Sequence, residues 1–363
     1  MYHRSREKSS IESGKYKGVT QRCKISVPTA GSKKSLTLTT LFEKRKKRIA
    51  GRLLRTNSLV DYKDIITLIL NYQSTYQAAN DMNIFKNFII PGYGGKPMST
   101  DIFFHSDARP KPLVIYAHGF NGFKDWGNFN MIAEQFVDAG FVFVKFNFSH
   151  NGTTPDHPEE FVDLEGYGHN NYTIQLEELQ KVIGWCLDEK HHYAEEIYPN
   201  HVYLLGHSLG GGLVILKAAE DERVKKIVTW AAISVCKTPW GNWPEEKIAE
   251  WKNTGVAYTM NSRTKQELPL YFQLYENFQH NAQRLNIQAA IKKLNIPVLL
   301  CHGTKDEGVP IEKAKDLKAW QPKAQLFLVE SDHVFGRKHP WFESELPVPM
   351  QAVVNKSISF LKG

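Results

Sequence analysis

The sequence has little of what builds a secreted, membrane-spanning or cysteine-stapled protein. Only four cysteines occur in 363 residues: Cys23, Cys186, Cys236 and Cys301. They lie far apart and form no C-x-x-C pair, which argues against a disulfide framework or a zinc site and fits a reducing compartment. No apolar run approaches the ~20 residues that span a bilayer. Residues 1–10, MYHRSREKSS, carry charges with no apolar segment behind them. No secretory signal is read there, and a cytoplasmic location is expected. No internal repeat is found, and no long low-complexity stretch outside the N-terminal segment.

An overall excess of one charge sign is also missing from most of the chain. The formal charge is +8, but residues 1–81 hold 17 Lys and Arg against 6 Asp and Glu, while the other 282 residues hold 29 against 32. A nucleic-acid surface is therefore not expected on the main domain. The basic run Lys44-Arg45-Lys46-Lys47-Arg48 is of a kind that contacts nucleic acid or anionic membranes. The favoured reading of residues 1–81 is a solvated, disordered extension. Ordering a chain costs roughly 1–2 kcal/mol per residue, and this segment has too few large apolar side chains to offset that. Its apolar patch at 65–70 is expected to form at most a short helix. An over-extended gene start is one explanation of the compositional break, since a complete domain follows from Met82. Residues 82–363 are expected to fold without the first 81.

From residue 82 onward, short apolar runs alternate with segments of helical period, the pattern of an α/β sheet. Segments 83–90 and 99–105 flank Pro91-Gly92-Tyr93-Gly94-Gly95-Lys96-Pro97 and read as an antiparallel hairpin. Buried strands are predicted at 113–117, 141–146, 202–206, 227–231, 298–302 and 326–329, because strands covered on both faces read as continuous apolar runs. Helices are predicted at 129–139, 173–189, 208–220, 312–319 and about 348–361. The expected fold is one mostly parallel eight-strand sheet with helices on both faces. Residues 232–297 interrupt the alternation and hold Trp240, Trp243, Trp251, Tyr258, Tyr271, Phe272 and Tyr275. A connection this long is usually functional, so it is read as a lid or pocket wall.

The strongest chemical signal is Gly206-His207-Ser208-Leu209-Gly210-Gly211. It sits between the strand 201–205 and the helix opening near Leu213. A serine hydroxyl is a poor nucleophile unless it is exposed and paired with a base. A sharp strand-to-helix turn exposes it, and glycine two positions either side gives the tight backbone room. The helix N-terminus favours negative charge developing there.

These residues resemble the α/β-hydrolase superfamily over about residues 82–363. The likeness is nearest to its small-esterase, dienelactone-hydrolase-like and serine-aminopeptidase-like branches, cinnamoyl and feruloyl esterases among them. The resemblance implies a nucleophile elbow at residues 206–210 and an oxyanion loop at His118-Gly119-Phe120. It puts the triad acid and histidine at Asp306 and His333, in the chain order Ser, Asp, His. Each assignment has a physical case of its own. An oxyanion needs two donors, and the N–H groups of Leu209 and Phe120 are the candidates. His118 reads as a loop-shaping residue. Asp306 follows a buried strand, where catalytic groups of parallel sheets collect, with Glu307 as runner-up. His333 directly follows the last strand in a polar loop, with His339 as backup.

The expected activity is acyl transfer to water on a small-molecule ester or related acyl substrate, with no metal and no cofactor implied. Two rivals stand: a peptidase releasing N-terminal residues, with Glu245 and Glu246 available to bind an amine, and a non-catalytic binding protein on the same scaffold. Trp240, Trp243 and Tyr258 are the candidate pocket residues. Oligomeric state is not read from the sequence.

Overall fold

The computed structural model describes residues 82–107, 109–191 and 193–363. The readings for residues 1–81 lie outside them. Ten strands and nine helices occur among the described residues. Eight strands form the main sheet: β1 (Met82–Pro91), β2 (Pro97–His105), β3 (Lys111–Ala117), β4 (Val142–Phe146), β5 (Ile197–His207), β6 (Val224–Trp230), β9 (Val298–Gly303) and β10 (Gln325–Val329). Their order is β1-β2-β4-β3-β5-β6-β9-β10. Only β2 runs against its neighbours; every pairing from β4 to β10 is parallel.

The continuous apolar runs have the expected cause. On β3, Leu113, Ile115 and Ala117 enter the core on one face, and Val114 and Tyr116 enter the core on the other. The first core is closed by α3 (Tyr172–Cys186), α4 (Leu209–Glu220) and α7 (Ile287–Lys293). The second is closed by α1 (Phe129–Asp138) and α9 (Val348–Lys362). A side chain such as Ile115, fully buried, contributes about 1.5–3 kcal/mol relative to exposure.

Local signals set the helix ends. Asn171 caps α3 by accepting from the Ile174 N–H at 3.0 Å, satisfying one of the first-turn donors. Past α1 the chain turns through Gly140 at φ +93°, a conformation that favours glycine.

Residues 232–297 are built as a small unit of their own. They hold α5 (Glu245–Thr254), the antiparallel hairpin β7 (Val256–Met260) and β8 (Glu267–Tyr271), α6 (Gln273–His280), and α7. The sequence reading assigned none of these elements. A further short helix, α2 (Leu164–Gly168), was missed as well. It is held by Asp163, whose carboxylate accepts from the Gly166 N–H at 2.9 Å. The remaining helix, α8 (Glu312–Trp320), lies between β9 and β10 in the chain.

Candidate active site

The site lies at the carboxyl ends of the parallel strands and begins at the β5–α4 turn. Ser208 has φ 56° and ψ −117°, a positive-φ conformation costly for a side chain with a Cβ. The surroundings hold it there. Its N–H donates to Trp230 O at 2.8 Å, and its carbonyl accepts from Gly212 and Ile233, each at 3.2 Å. The two flanking glycines are needed for space. A Cβ on Gly206 would stand 2.2 Å from Gly210 O, and one on Gly210 would stand 2.2 Å from Ala117 O. The sequence motif is therefore a packing requirement between β3, β5 and α4.

The loop after β3 lies against this turn. A Cβ on Gly119 would be 3.1 Å from the Cβ of Ser208 and 3.1 Å from His207 O. Phe120 follows on that loop, and Leu209 opens α4 with a first-turn N–H that has no intrahelical acceptor. His118 is buried and held at both ring nitrogens. Nδ1–H donates to Gly119 O at 2.9 Å, and Nε2 accepts from the Phe148 N–H at 3.3 Å. Burial pushes it down to about 4, so it is neutral and shapes the loop. Below the loop, Lys124 and Lys145 share two carboxylates. Asp101 meets them at 2.8 and 2.9 Å, and Asp125 pairs with both. All four groups are buried or nearly so. Burial opposes ionisation of Asp125, and the two ammonium groups prevail and lower its pKa.

Asp306 and His333 meet. His333 Nδ1 donates to Asp306 Oδ2 at 2.8 Å, which leaves Nε2 as the nitrogen available for proton transfer. The other carboxylate oxygen, Oδ1, accepts from the Val309 N–H at 2.7 Å. Burial alone would raise the Asp306 carboxyl; hydrogen bonds from His302 and His333 outweigh it and hold it well below the usual carboxylate range. Glu307 is exposed. Asp332 turns back on its own loop, accepting from the Gly336 N–H at 2.8 Å. His339, the backup histidine, accepts from the Gly127 N–H at 2.9 Å.

Two histidines escaped the sequence reading. His302, at the end of β9, is buried and donates from Nε2 to Val309 O at 2.8 Å, with Asp306 Oδ2 at 3.3 Å. It therefore braces Asp306 through the same carboxylate oxygen that meets His333. His207, the residue before Ser208, donates from Nε2 to the carbonyl of His333 at 2.9 Å, and the two rings lie 4.9 Å apart. Burial pushes His207 well below the usual imidazole range, so it is a neutral tie between the turn and the His333 loop. The only sequence signal for either was its place beside a motif residue.

A narrow cleft is lined by Phe120, Leu209, Tyr167, Tyr172, Leu270 and Leu274. Trp240, Trp243 and Tyr258, the candidate pocket residues, are not among the residues that line it. Trp240 is buried behind Tyr172, its ring 6.1 Å from that tyrosine and 5.9 Å from Phe278. Trp243 packs on Trp251 at 5.3 Å, with Lys247 Nζ 4.0 Å above its ring. Tyr258 is 55% exposed on β7. Trp240 and Trp243 pack within the insertion, against Trp251. Trp240→Ala should accordingly destabilise the protein by about 3–5 kcal/mol, read as a lower Tm, while the ranking of ester substrates stays as in the wild type. A changed ranking would return Trp240 to the pocket.

The fold and motifs have relatives. The BD-FAE family model matches residues 100–321, a span that includes Ser208 and Asp306 and ends before His333. Among solved structures, the α/β hydrolase GrgF from Penicillium sp. sh18 superposes with a TM-score of 0.54 at 17% identity, covering 78% of this chain and 98% of that one. Est1E from Butyrivibrio proteoclasticus gives 0.53 at 17% identity, covering 77% and 100%. These likenesses establish the α/β-hydrolase fold. Among curated proteins, the quorum-quenching protein AidA of Acinetobacter baumannii is 27% identical over 118 residues, 32% of this chain and 34% of AidA. The chain thus spans about a third of the length of that relative.

Proposed function

From the premise that the chain belongs to the BD-FAE family, an α/β-hydrolase esterase family, we propose that it is a serine hydrolase cleaving a carboxylic ester or related acyl bond of a small molecule. The observation that carries this is the backbone of Ser208: a non-glycine residue at φ 56°, kept there by flanking glycines whose replacement would clash. Strain of this kind is maintained where it serves a function, and here it presents a hydroxyl at a helix N-terminus.

In this reading Ser208 Oγ attacks the substrate carbonyl while His333 Nε2 takes its proton. Asp306, ionised and doubly braced, fixes the Nδ1–H tautomer and stabilises the imidazolium. The N–H groups of Leu209 and Phe120 receive the oxyanion. Collapse expels the alcohol, which receives the proton from His333. Water, deprotonated by the same imidazole, then cleaves the acyl-enzyme and restores Ser208. A peptidase reading is weaker. No carboxylate lines the cleft, and Glu245 and Glu246 are exposed at the start of α5, so nothing there holds a substrate amine. We place the protein in a reducing compartment, the cytoplasm. Its three described cysteines, Cys186, Cys236 and Cys301, are buried free thiols.

A panel of p-nitrophenyl esters of graded chain length, run beside aminoacyl-anilides, tests the proposal. Turnover of esters and none of the anilides is expected. Turnover of the anilides alone would overturn the ester reading.

A further inference from the structure

The loop that leaves His333 lies on the start of helix α1, and buried polar atoms without a partner collect where the two meet. Of thirteen such side-chain atoms among the described residues, six belong to residues 128–130 and 337–341: both ends of the Asn128 carboxamide, Asn130 Oδ1, Nη1 and Nη2 of Arg337, and Trp341 Nε1. The two segments touch. The Gly127 N–H donates to His339 Nδ1 at 2.9 Å, and a Cβ on Gly127 would stand 3.1 Å from Lys338 O. The Arg337 guanidinium lies 4.8 Å from the Phe129 ring and 5.4 Å from the Trp126 ring. Asn128 falls between those two residues in the chain.

Arg337 is 4% exposed. Its Nε–H and its backbone N–H both donate to Val334 O, at 2.8 and 3.2 Å, which leaves the N–H groups of Nη1 and Nη2 unspent. Burial pushes its pKa down to about 10, so it is charged at neutral pH. The buried lysines Lys111, Lys124, Lys145 and Lys217 each meet a carboxylate. Arg337 has no ion pair among the described residues. The groups that act on it are the Tyr116 hydroxyl, which burial keeps neutral, and Asp332, which is exposed and spent on its own loop.

Helix α1 adds to the same charge. Its N-terminus carries partial positive charge and first-turn N–H groups without intrahelical acceptors, and Asn128 at its N-cap makes no capping bond. A cation stacked on the first residue of a helix reverses the favourable order. Charge selects the guest. Water would serve the N–H groups and Asn128 Oδ1 alike, but it would leave the guanidinium and the helix end uncompensated in the interior, where an unpaired charge is costly. One negative charge compensates both. The unpaired atoms are sealed from solvent, which restricts the guest to a small anion of single charge. We propose that Arg337 and the N-terminus of α1 hold a buried monovalent anion, chloride, beneath the His333 loop. This site goes beyond the serine-hydrolase reading and does not rest on it.

The test measures Tm of the full chain in sodium chloride and in sodium gluconate at equal ionic strength. Chloride should raise Tm saturably, by about 2–4 °C. Arg337→Met should abolish that gain. Asn128→Asp puts a carboxylate at the helix cap; it should raise Tm in gluconate and abolish the gain as well, and it decides the matter if Arg337→Met fails to fold. Crystals grown in sodium bromide should show an anomalous peak within hydrogen-bonding distance of Arg337 Nη1 or Nη2. Equal wild-type Tm in the two salts, a chloride gain that survives in either folded variant, or bromide found on the surface only overturns the proposal.

Discussion

Ser208→Ala should lower kcat by about 10⁴-fold or more, with KM little changed. The substitution removes one oxygen and keeps the Cβ, so the backbone strain at φ 56° and the contacts of the turn persist. What is lost is the covalent route. Oxyanion donors and binding then act on water alone, which leaves only a small residual rate. A fluorophosphonate probe should label the wild-type protein once and the variant not at all. Labelling that survives in Ser208→Ala, at a stoichiometry near one, would move the nucleophile to another residue.

Asp306→Asn should cost about 10³–10⁴-fold in kcat. The carboxamide keeps the shape of the side chain and can still meet His333, but it no longer carries the charge that stabilises the imidazolium. Its amide group can also impose the wrong tautomer. Glu307→Gln should stay near wild type, because Glu307 is exposed and bonds neither histidine. The reverse ranking in kcat would transfer the acid to Glu307. The depressed Asp306 carboxyl has a further effect on pH dependence. Its stabilising contribution is fully present above the unfolded carboxylate value of about 3.9 and is lost only as pH falls through its lower folded value. Asp306 therefore stays ionised throughout mildly acidic solution, and a fall in rate there reports a different group.

Sequence and structure agree best where one physical demand writes the residues. Strands covered on both faces must be apolar throughout, so β3, β4, β5, β6 and β9 were legible as runs. Gly206 and Gly210 are fixed by clashes of 2.2 Å, which makes the turn at Ser208 readable without any neighbour being known. The insertion was not legible in this way. Its aromatics serve a local cluster around Trp251, and an aromatic side chain at a given spacing packs inward as readily as it lines a cavity. Of the cleft residues, Gln175 was hidden inside the predicted helix 173–189, and Tyr172 lay one residue before it. His207 and His302 were hidden because their partners, a carbonyl of residue 333 and the Val309–Asp306 turn, are set by tertiary contact. The helix α2 has two glycines in five residues, a composition with poor helix propensity; the Asp163 cap and packing against β8 outweigh it.

The four buried charges under the Phe120 loop impose a constraint on sequence change. Lys124 and Asp125 come from the loop, Asp101 from β2 and Lys145 from β4. Losing any one strands an uncompensated charge in the interior, at a cost of about 3–5 kcal/mol, a large share of a typical folding free energy. Exchanging all four for apolar residues of matching volume is often close to neutral. Drift one residue at a time is thus blocked although both endpoints are habitable. The loop that carries Phe120 is inherited together with two strands, and a version of it transplanted from a relative would have to bring Asp101 and Lys145 along.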